Sequence, residues 1–233
     1  MTITMFINFG LLLFIAPALI LAFIAQWMIS SAYARGRNIP AKLSGFMAAR
    51  HILDASGLGN VAIEPIPGQL SDHYDPREKV LRLSTDVYHG RSLASVGIAA
   101  HEAGHAIQDA VGYLPLAIRN FAVPAASFGS GAGMLMLMFG LMLQWKLLLL
   151  VGIVVFSGVV FFQLVNLPVE FNASSRAKAL LVDLGLVDPS EMGPVKSVLN
   201  AAALTYVAGT LQAVLTLLYF IMRYSSGERR QSY

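Results

Sequence analysis

Hydrophobic residues are concentrated in four long stretches of the chain, separated by segments that carry most of its charged residues. A transmembrane helix needs about 20 mostly apolar residues to cross a bilayer. Only three residues separate the second stretch from the third, which predicts a tight hairpin. The pattern predicts transmembrane helices over 5–29, 121–143, 147–167 and 199–222, followed by a tail over 223–233.

The first stretch is predicted to be a retained anchor and not a cleaved signal peptide. No positive charge precedes it, and its apolar run is longer than the roughly 7–15 residues of a signal-peptide core. Lys and Arg accumulate on the cytoplasmic side of membrane proteins. Segments 30–120 and 168–198 together hold 12 of the 16 Lys and Arg residues. We therefore expect both segments to be cytoplasmic and the N-terminus to lie outside.

The composition agrees with an integral membrane protein and excludes other classes. Apolar residues make up 56% of the chain and charged residues 12%, whereas soluble domains carry about 25% charged residues. The net charge of +3 comes without a dense Lys/Arg stripe, so no nucleic-acid partner is expected. The chain has no cysteine, which excludes disulfides, cysteine-based zinc sites and thiol catalysis.

The polar segment over 30–120 is long enough to form a small α+β domain. Residues 71–79 are rich in turn formers and predict a loop. The strand predicted over 80–84 could present its edge to an extended peptide. The predicted elements are a helix over about 45–56, strands over 60–66 and 80–84, and a helix over 92–111.

The helix over 92–111 has one polar face and one face of small apolar residues. At about 100° per residue, the polar side chains fall within about 120° of the circumference. Ionisable groups are costly at the centre of a bilayer, so this helix is assigned to the polar domain. The polar face consists of His101, Glu102, His105, Gln108 and Asp109.

The sequence His101-Glu102-Ala103-Gly104-His105 is an HExxH motif on this helix. Two imidazoles at positions i and i+4 project side by side and can bind one Zn²⁺. Zinc at such a site activates a water for attack on a carbonyl, and Glu102 is placed to accept the water proton. The motif predicts metal-dependent hydrolysis, with Glu102 as the general base.

A catalytic zinc site needs a third protein ligand and one open position. An extended motif would place a histidine at position 111, but that residue is Val111. Glu170 directly follows the third apolar stretch, and two crossings return it to the side of His101. An ordinary interfacial charge is the alternative interpretation of Glu170. The remaining candidates are the carboxylates and His51, His73 and His89.

Several separated motifs resemble the membrane zinc metallopeptidases of the YugP type, the neutral zinc metallopeptidase family. They are HEAGHAIQ, the upstream SDHYDP and VLRLS, and EFNASSRA two stretches later. The resemblance implies a gluzincin-like peptidase with Zn²⁺ as cofactor and Glu170 as the third ligand. It also implies a zincin-like fold for the polar domain, with segment 168–198 as the helical carrier of that ligand.

The run after Glu170 is also similar to the Glu-x-x-x-Asp segment of HtpX-like membrane proteases, in which the Asp supports a ligand histidine. Ser174 stands at that place, so Asn172 or Asp109 could orient an imidazole instead. A tetrahedral intermediate also needs a donor for its oxyanion. The candidate donors are His73, Tyr74, His89, Asn166 and Arg176.

The sequence therefore predicts a mainly α membrane protein with about four transmembrane helices and a small α+β, zincin-like domain that carries the HExxH helix. Its predicted function is a membrane-bound zinc endopeptidase that acts on membrane-proximal peptides or proteins at the cytoplasmic surface. The alternative is a membrane scaffold or chaperone-like subunit with a structural metal. A structural site has four protein ligands, so a fourth ligand such as His73 or His89 would favour it. The sequence leaves the oligomeric state undetermined.

Overall fold

A computed structural model describes residues 2–229 of the chain, with side chains over 9–226. The protein is mainly helical, with one small sheet. The helices are α1 (Thr2–Gly36), α2 (Gly45–Ala55), α3 (Thr85–His89), α4 (Leu93–Ala110), α5 (Leu114–Phe128), α6 (Met134–Met142), α7 (Lys146–Asp183) and α8 (Met192–Arg229). The strands are β1 (Ala62–Ile66), β2 (His73–Asp75) and β3 (Val80–Ser84).

Four helical segments in the described part of the chain are long and apolar enough to cross a membrane. Each overlaps one predicted span, and their large apolar side chains are widely exposed; Phe121, for example, is 86% exposed. Such exposure is costly in water and favourable in lipid. Residues 230–233 of the predicted tail lie outside the described residues. The four segments are Phe9–Gly36, Leu114–Met142, Lys146–Asp183 and Pro189–Ser226.

The chain divides into two compact units. The helical unit comprises the residues up to Ile24, Ile118–Leu167 and the residues from Tyr206 onward. The α+β unit comprises Ala25–Ala117 and Pro168–Thr205. All the ionisable residues predicted to act in catalysis or metal binding lie in the α+β unit.

In the helical unit, glycines let the two arms of the predicted hairpin approach closely. A π-helical turn over Gly129–Gly133 joins α5 to α6. A Cβ atom on Gly129 would lie 2.8 Å from the carbonyl oxygen of Val155 in α7, and one on Gly140 would lie 2.5 Å from the amide nitrogen of Leu149. These glycines therefore serve packing within the chain.

The sheet of the α+β unit has the order β1-β3-β2. β1 pairs with β3 in parallel, Ala62 opposite Val80, and β2 pairs with β3 in antiparallel fashion, His73 opposite Arg82. β3 lies in the centre with both edges paired, so the expectation that it offers an edge to a peptide is wrong. β2 occupies part of the segment predicted as a loop. It was missed because three residues are too few to show an alternating pattern.

Small residues of α4 line the core of the α+β unit. Ala99, Ala103 and Ala106 are at most 1% exposed and pack in a cluster that includes Leu81 and Leu83 of β3. The apolar face predicted for this helix is thus its buried face, and the sheet and neighbouring helices hold it in place. This packing determines which way the opposite, polar face of α4 points.

Candidate metal centre

α4 begins and ends where local chemistry predicts. The Ser92 side chain accepts a hydrogen bond from the Ser95 amide and so caps the first turn. The helix ends before Gly112, whose φ of +64° suits glycine. Between these ends, His101 and His105 lie one helical turn apart, with their ring centroids 4.8 Å apart and their planes at 85°.

The C-terminal part of α7 brings the distant carboxylate to α4. A fully buried stripe with a spacing of four residues anchors this part of the helix in the core of the α+β unit. Glu170 and Ser174 lie next to the stripe and are also buried. The stripe consists of Val169, Ala173, Ala177 and Leu181.

His101, His105 and Glu170 converge on one point. The Nε2 atom of His101 lies 3.2 Å from Oε2 of Glu170, and Nε2 of His105 lies 3.7 Å from the same oxygen. One donor atom from each of the three residues lies within 4.8 Å of the other two. The side chains of His105 and Glu170 are less than 10% exposed, so the site is enclosed.

The two separations between histidine nitrogens and the Glu170 oxygen fit the coordination sphere of zinc. Bonds of about 2.0–2.2 Å in a tetrahedral site place neighbouring ligand atoms about 3.3–3.5 Å apart. The measured separations of 3.2 and 3.7 Å lie on either side of this value. Two imidazoles and one carboxylate are also the donor types of catalytic zinc sites with three protein ligands. The residues present therefore fit a zinc ion.

The group contains three metal-capable residues and no fourth, among the side chains that the structure describes. His73 is exposed on β2, and its Nδ1 lies 2.8 Å from the Ser71 carbonyl oxygen. His89 is exposed beside the ring of Tyr88. The fourth ligand that would favour a structural metal is therefore not supplied by these histidines.

Glu102 is buried beside the two histidines, and its carboxylate has no hydrogen-bond partner among the described residues. Burial raises the pKa of its carboxyl group, and His101 and His105 oppose the rise only in part. Burial lowers the pKa of His105, but the nearby Glu170 and Glu102 outweigh it and leave this pKa above its usual value. A divalent cation would lower both pKa values, because it stabilises the deprotonated forms.

Comparison with known proteins agrees with this donor set. Residues 11–225 match the model of a family described as "Putative neutral zinc metallopeptidase". The chain belongs to this family. It is also 44% identical over 212 residues to the "Putative membrane protease YugP" of Bacillus subtilis (strain 168), which covers 90% of this chain and 94% of that protein. No solved structure gives a significant match. The resemblance inferred from the separated motifs is thus confirmed.

Each imidazole contacts a different polar side chain through its Nδ1 atom. Nδ1 of His101 lies 3.1 Å from Oγ of Ser174. Nδ1 of His105 lies 3.0 Å from Oε1 of Gln108. With both Nδ1 atoms occupied, each ring presents Nε2 to Glu170, which is the arrangement seen around metal-binding histidines.

The remaining predicted residues have other contacts. The Nδ1 partners of the imidazoles are Ser174 and Gln108, whereas Asn172 Oδ1 accepts from Arg176 Nε at 2.7 Å and from Gln108 Nε2 at 3.0 Å. Asp109 accepts a hydrogen bond from the Tyr74 hydroxyl at 2.8 Å and pairs with Lys79, so it ties β2 to α4. Burial, together with Asp109, raises the pKa of Tyr74. Asn166, also considered as an oxyanion donor, is buried in the helical unit.

Gln108 is the residue of this site to which sequence reasoning assigned no role. It falls on the same helical face as His101 and His105, so its position was visible in the periodic pattern. Its role was not visible, because its partners Val169 and Asn172 lie about 60 residues away in the chain.

Proposed function

We propose that this chain is a multi-pass membrane zinc endopeptidase, in which His101, His105 and Glu170 hold the metal and Glu102 is the general base. One observation carries the proposal: two imidazoles and a carboxylate converge beside a buried carboxylate that has no hydrogen-bond partner among the described residues. The family to which the chain belongs and the name of its relative agree with this activity.

When bound, a zinc ion would supply a Lewis acid that polarises the scissile carbonyl and makes water a better nucleophile at neutral pH. Glu102 takes a proton from the attacking water as the water oxygen bonds to the carbonyl carbon. Glu102 then delivers that proton to the peptide nitrogen as the C–N bond breaks. The products are a carboxylic acid, which gives its proton to solvent at neutral pH, and an amine, and Glu102 returns to its initial state.

The membrane setting defines the expected substrate. The α+β unit carries the site, and the chain has four helices long enough to span a bilayer. We infer that the site acts close to the membrane surface and cleaves unfolded or membrane-proximal segments of proteins. The excess of Lys and Arg in segments 30–120 and 168–198 favours the cytoplasmic side.

Activity is tested with the full chain in detergent or liposomes on an unstructured peptide, with products identified by mass spectrometry. Wild-type protein should release peptide fragments with new carboxyl and amino ends. Glu102→Gln should lose at least about 100-fold in rate while it still binds zinc, because an amide cannot accept the water proton. Undiminished hydrolysis by Glu102→Gln removes Glu102 from the mechanism, and cleavage of a non-peptide amide alone points to another hydrolase class.

Orientation is tested by labelling with a membrane-impermeant thiol reagent, since the chain has no cysteine of its own. Ser56→Cys places a single thiol on the exposed end of α2, and Trp145→Cys places one between α6 and α7. We expect Trp145→Cys to react in intact cells and Ser56→Cys to react only after the membrane is opened. The reverse pattern places the site outside.

A further inference from the structure

Gln108 is fully buried and connects His105 of α4 with two residues of α7. Its Oε1 lies 3.0 Å from Nδ1 of His105. Its Nε2 donates to the carbonyl oxygen of Val169 at 2.8 Å and to Oδ1 of Asn172 at 3.0 Å. Both donors and the acceptor of its amide are therefore used, which is the full satisfaction that a buried amide requires.

The chemistry of its neighbours allows only one orientation of this amide. The carbonyl group of Val169 can only accept a hydrogen bond, so the Gln108 atom that faces it must be Nε2. Asn172 is oriented in the same way, because the guanidinium of Arg176 can only donate and so faces Oδ1. The acceptor atom of Gln108 is left to face His105.

This orientation determines the tautomer of His105. An imidazole nitrogen next to the acceptor Oε1 must carry hydrogen, so Nδ1 is the protonated nitrogen. A neutral imidazole has one such hydrogen, which leaves the lone pair on Nε2. That Nε2 atom lies 3.7 Å from Oε2 of Glu170 and belongs to the metal-capable group.

His101 lacks this constraint. Its Nδ1 faces the hydroxyl of Ser174, and a hydroxyl can either donate or accept. Both tautomers of His101 are therefore compatible with Ser174, whereas only one tautomer of His105 is compatible with Gln108.

We propose that Gln108 is a positioning residue, which holds His105 in its metal-binding tautomer. The Val169 carbonyl and, through Asn172, the Arg176 guanidinium determine which way the Gln108 amide is oriented. The same amide also holds the backbone immediately before Glu170, so it aligns ligands of both helices. The inference rests on the proposed function, because it assigns Gln108 a purpose at that metal site.

The test compares near-isosteric exchanges at two linked positions. Gln108→Met keeps the side-chain length but has no acceptor for His105 and no donor for Val169 or Asn172. Asn172→Asp keeps both acceptor contacts and adds an ion pair with Arg176. We expect Gln108→Met to lower zinc affinity at least ~10-fold, since partners of metal-binding histidines typically contribute that much, and Asn172→Asp to stay within about threefold of wild type.

Zinc affinity is measured by competition with a chelator on the full-length protein in detergent, with circular dichroism to verify folding. If Gln108→Met does not fold, Gln108→Leu takes its place, because it also lacks an acceptor for His105, and the same loss is expected. Nitrogen-15 spectra of labelled histidines report the tautomer directly. Wild-type His105 should show a protonated Nδ1, and His105 of Gln108→Met, which faces no acceptor, should show a mixture of tautomers.

A packing role alone would affect both near-isosteric exchanges alike, so equal zinc affinities of the two variants overturn the inference. A wild-type His105 that carries its hydrogen on Nε2 also overturns it. Wild-type protein that binds no zinc at all overturns the proposed function and this inference with it. If wild type binds zinc and the variants do not differ from each other, only this inference falls.

Discussion

Gly104 faces Ala173 across the contact between α4 and α7, so closely that a Cβ atom on Gly104 would lie 2.9 Å from the Ala173 carbonyl oxygen and 3.3 Å from its Cα. Real Cβ atoms essentially never approach backbone at the shorter of these distances. Gly104 is one of the two variable positions of the HExxH motif. Glu170 and Ser174 lie on either side of Ala173, so the contact determines how near they come to the histidines.

Gly104→Ala should therefore push α7 away from α4. We expect zinc affinity to fall at least ~10-fold, as for the loss of a metal-supporting contact. Overpacking should also destabilise the fold by about 1–3 kcal/mol. Gly193→Ala in α8 is the matched control, because nothing lies within 4 Å of its added Cβ. Chelator competition and thermal melting measure both effects, and wild-type zinc affinity in Gly104→Ala would contradict the argument.

Glu170→Gln should abolish stabilisation by zinc. A neutral amide keeps the size of the side chain but is a poor metal ligand, so the ion would bind the folded state weakly. Zinc at about 100 times its dissociation constant stabilises a protein by about 2.7 kcal/mol. Melting curves with and without zinc should show this shift in wild type and in the exposed Glu191→Gln control, but not in Glu170→Gln. An unchanged shift in Glu170→Gln would remove it from the ligand set.

Ser174→Ala should weaken zinc binding less than a Gln108 substitution. The hydroxyl of Ser174 accommodates either tautomer of His101, so its loss removes one hydrogen bond but no tautomer constraint. We expect an affinity loss of about threefold, against at least ~10-fold for Gln108→Met. Chelator competition on wild type, Ser174→Ala and Gln108→Met gives the order of their zinc affinities. A larger loss in Ser174→Ala would show that His101 is the more strongly constrained ligand.

Asp72 should make stability depend on pH in the acidic range. Burial raises the pKa of its carboxyl group, although the Ser84 amide and hydroxyl donate to it and oppose the rise. A raised folded-state pKa means that the stability contribution is complete below the unfolded value of about 3.9 and is lost as pH increases through the folded value. As the pH rises from the unfolded to the folded pKa of Asp72, wild type should thus lose stability relative to Asp72→Asn.

The Asp72→Asn variant is the reference for wild type, because its amide oxygen still accepts from the Ser84 amide and its side chain does not titrate. Melting temperatures of both proteins between pH 4 and 7 give the difference directly, and the titrations of all other groups cancel. A difference that does not vary with pH would show that burial does not control this carboxyl group.

Helix-scale features were predictable because they depend on neighbours a few residues away. The spacing of His101 and His105 places both imidazoles on one face of any helix, and Ser92 and Gly112 mark where this helix starts and stops. The apolar stretches likewise predicted long helices, although α7 and α8 continue well beyond the apolar residues. Charged segments do not end a helix when its next turns are packed in a core.

The sequence by itself determined the donor types, the imidazole spacing and the presence of four long apolar helices, since these follow from residue identity and helical periodicity. Only the tertiary structure decided that Glu170 reaches both histidines, that β3 is central, and that Gln108 orients His105. Those outcomes depend on contacts between residues up to 69 positions apart. Such contacts are made possible by the close approach at Gly104 and the buried stripe of α7. A local pattern can mark such a stripe, but it does not show which distant residues the stripe packs against.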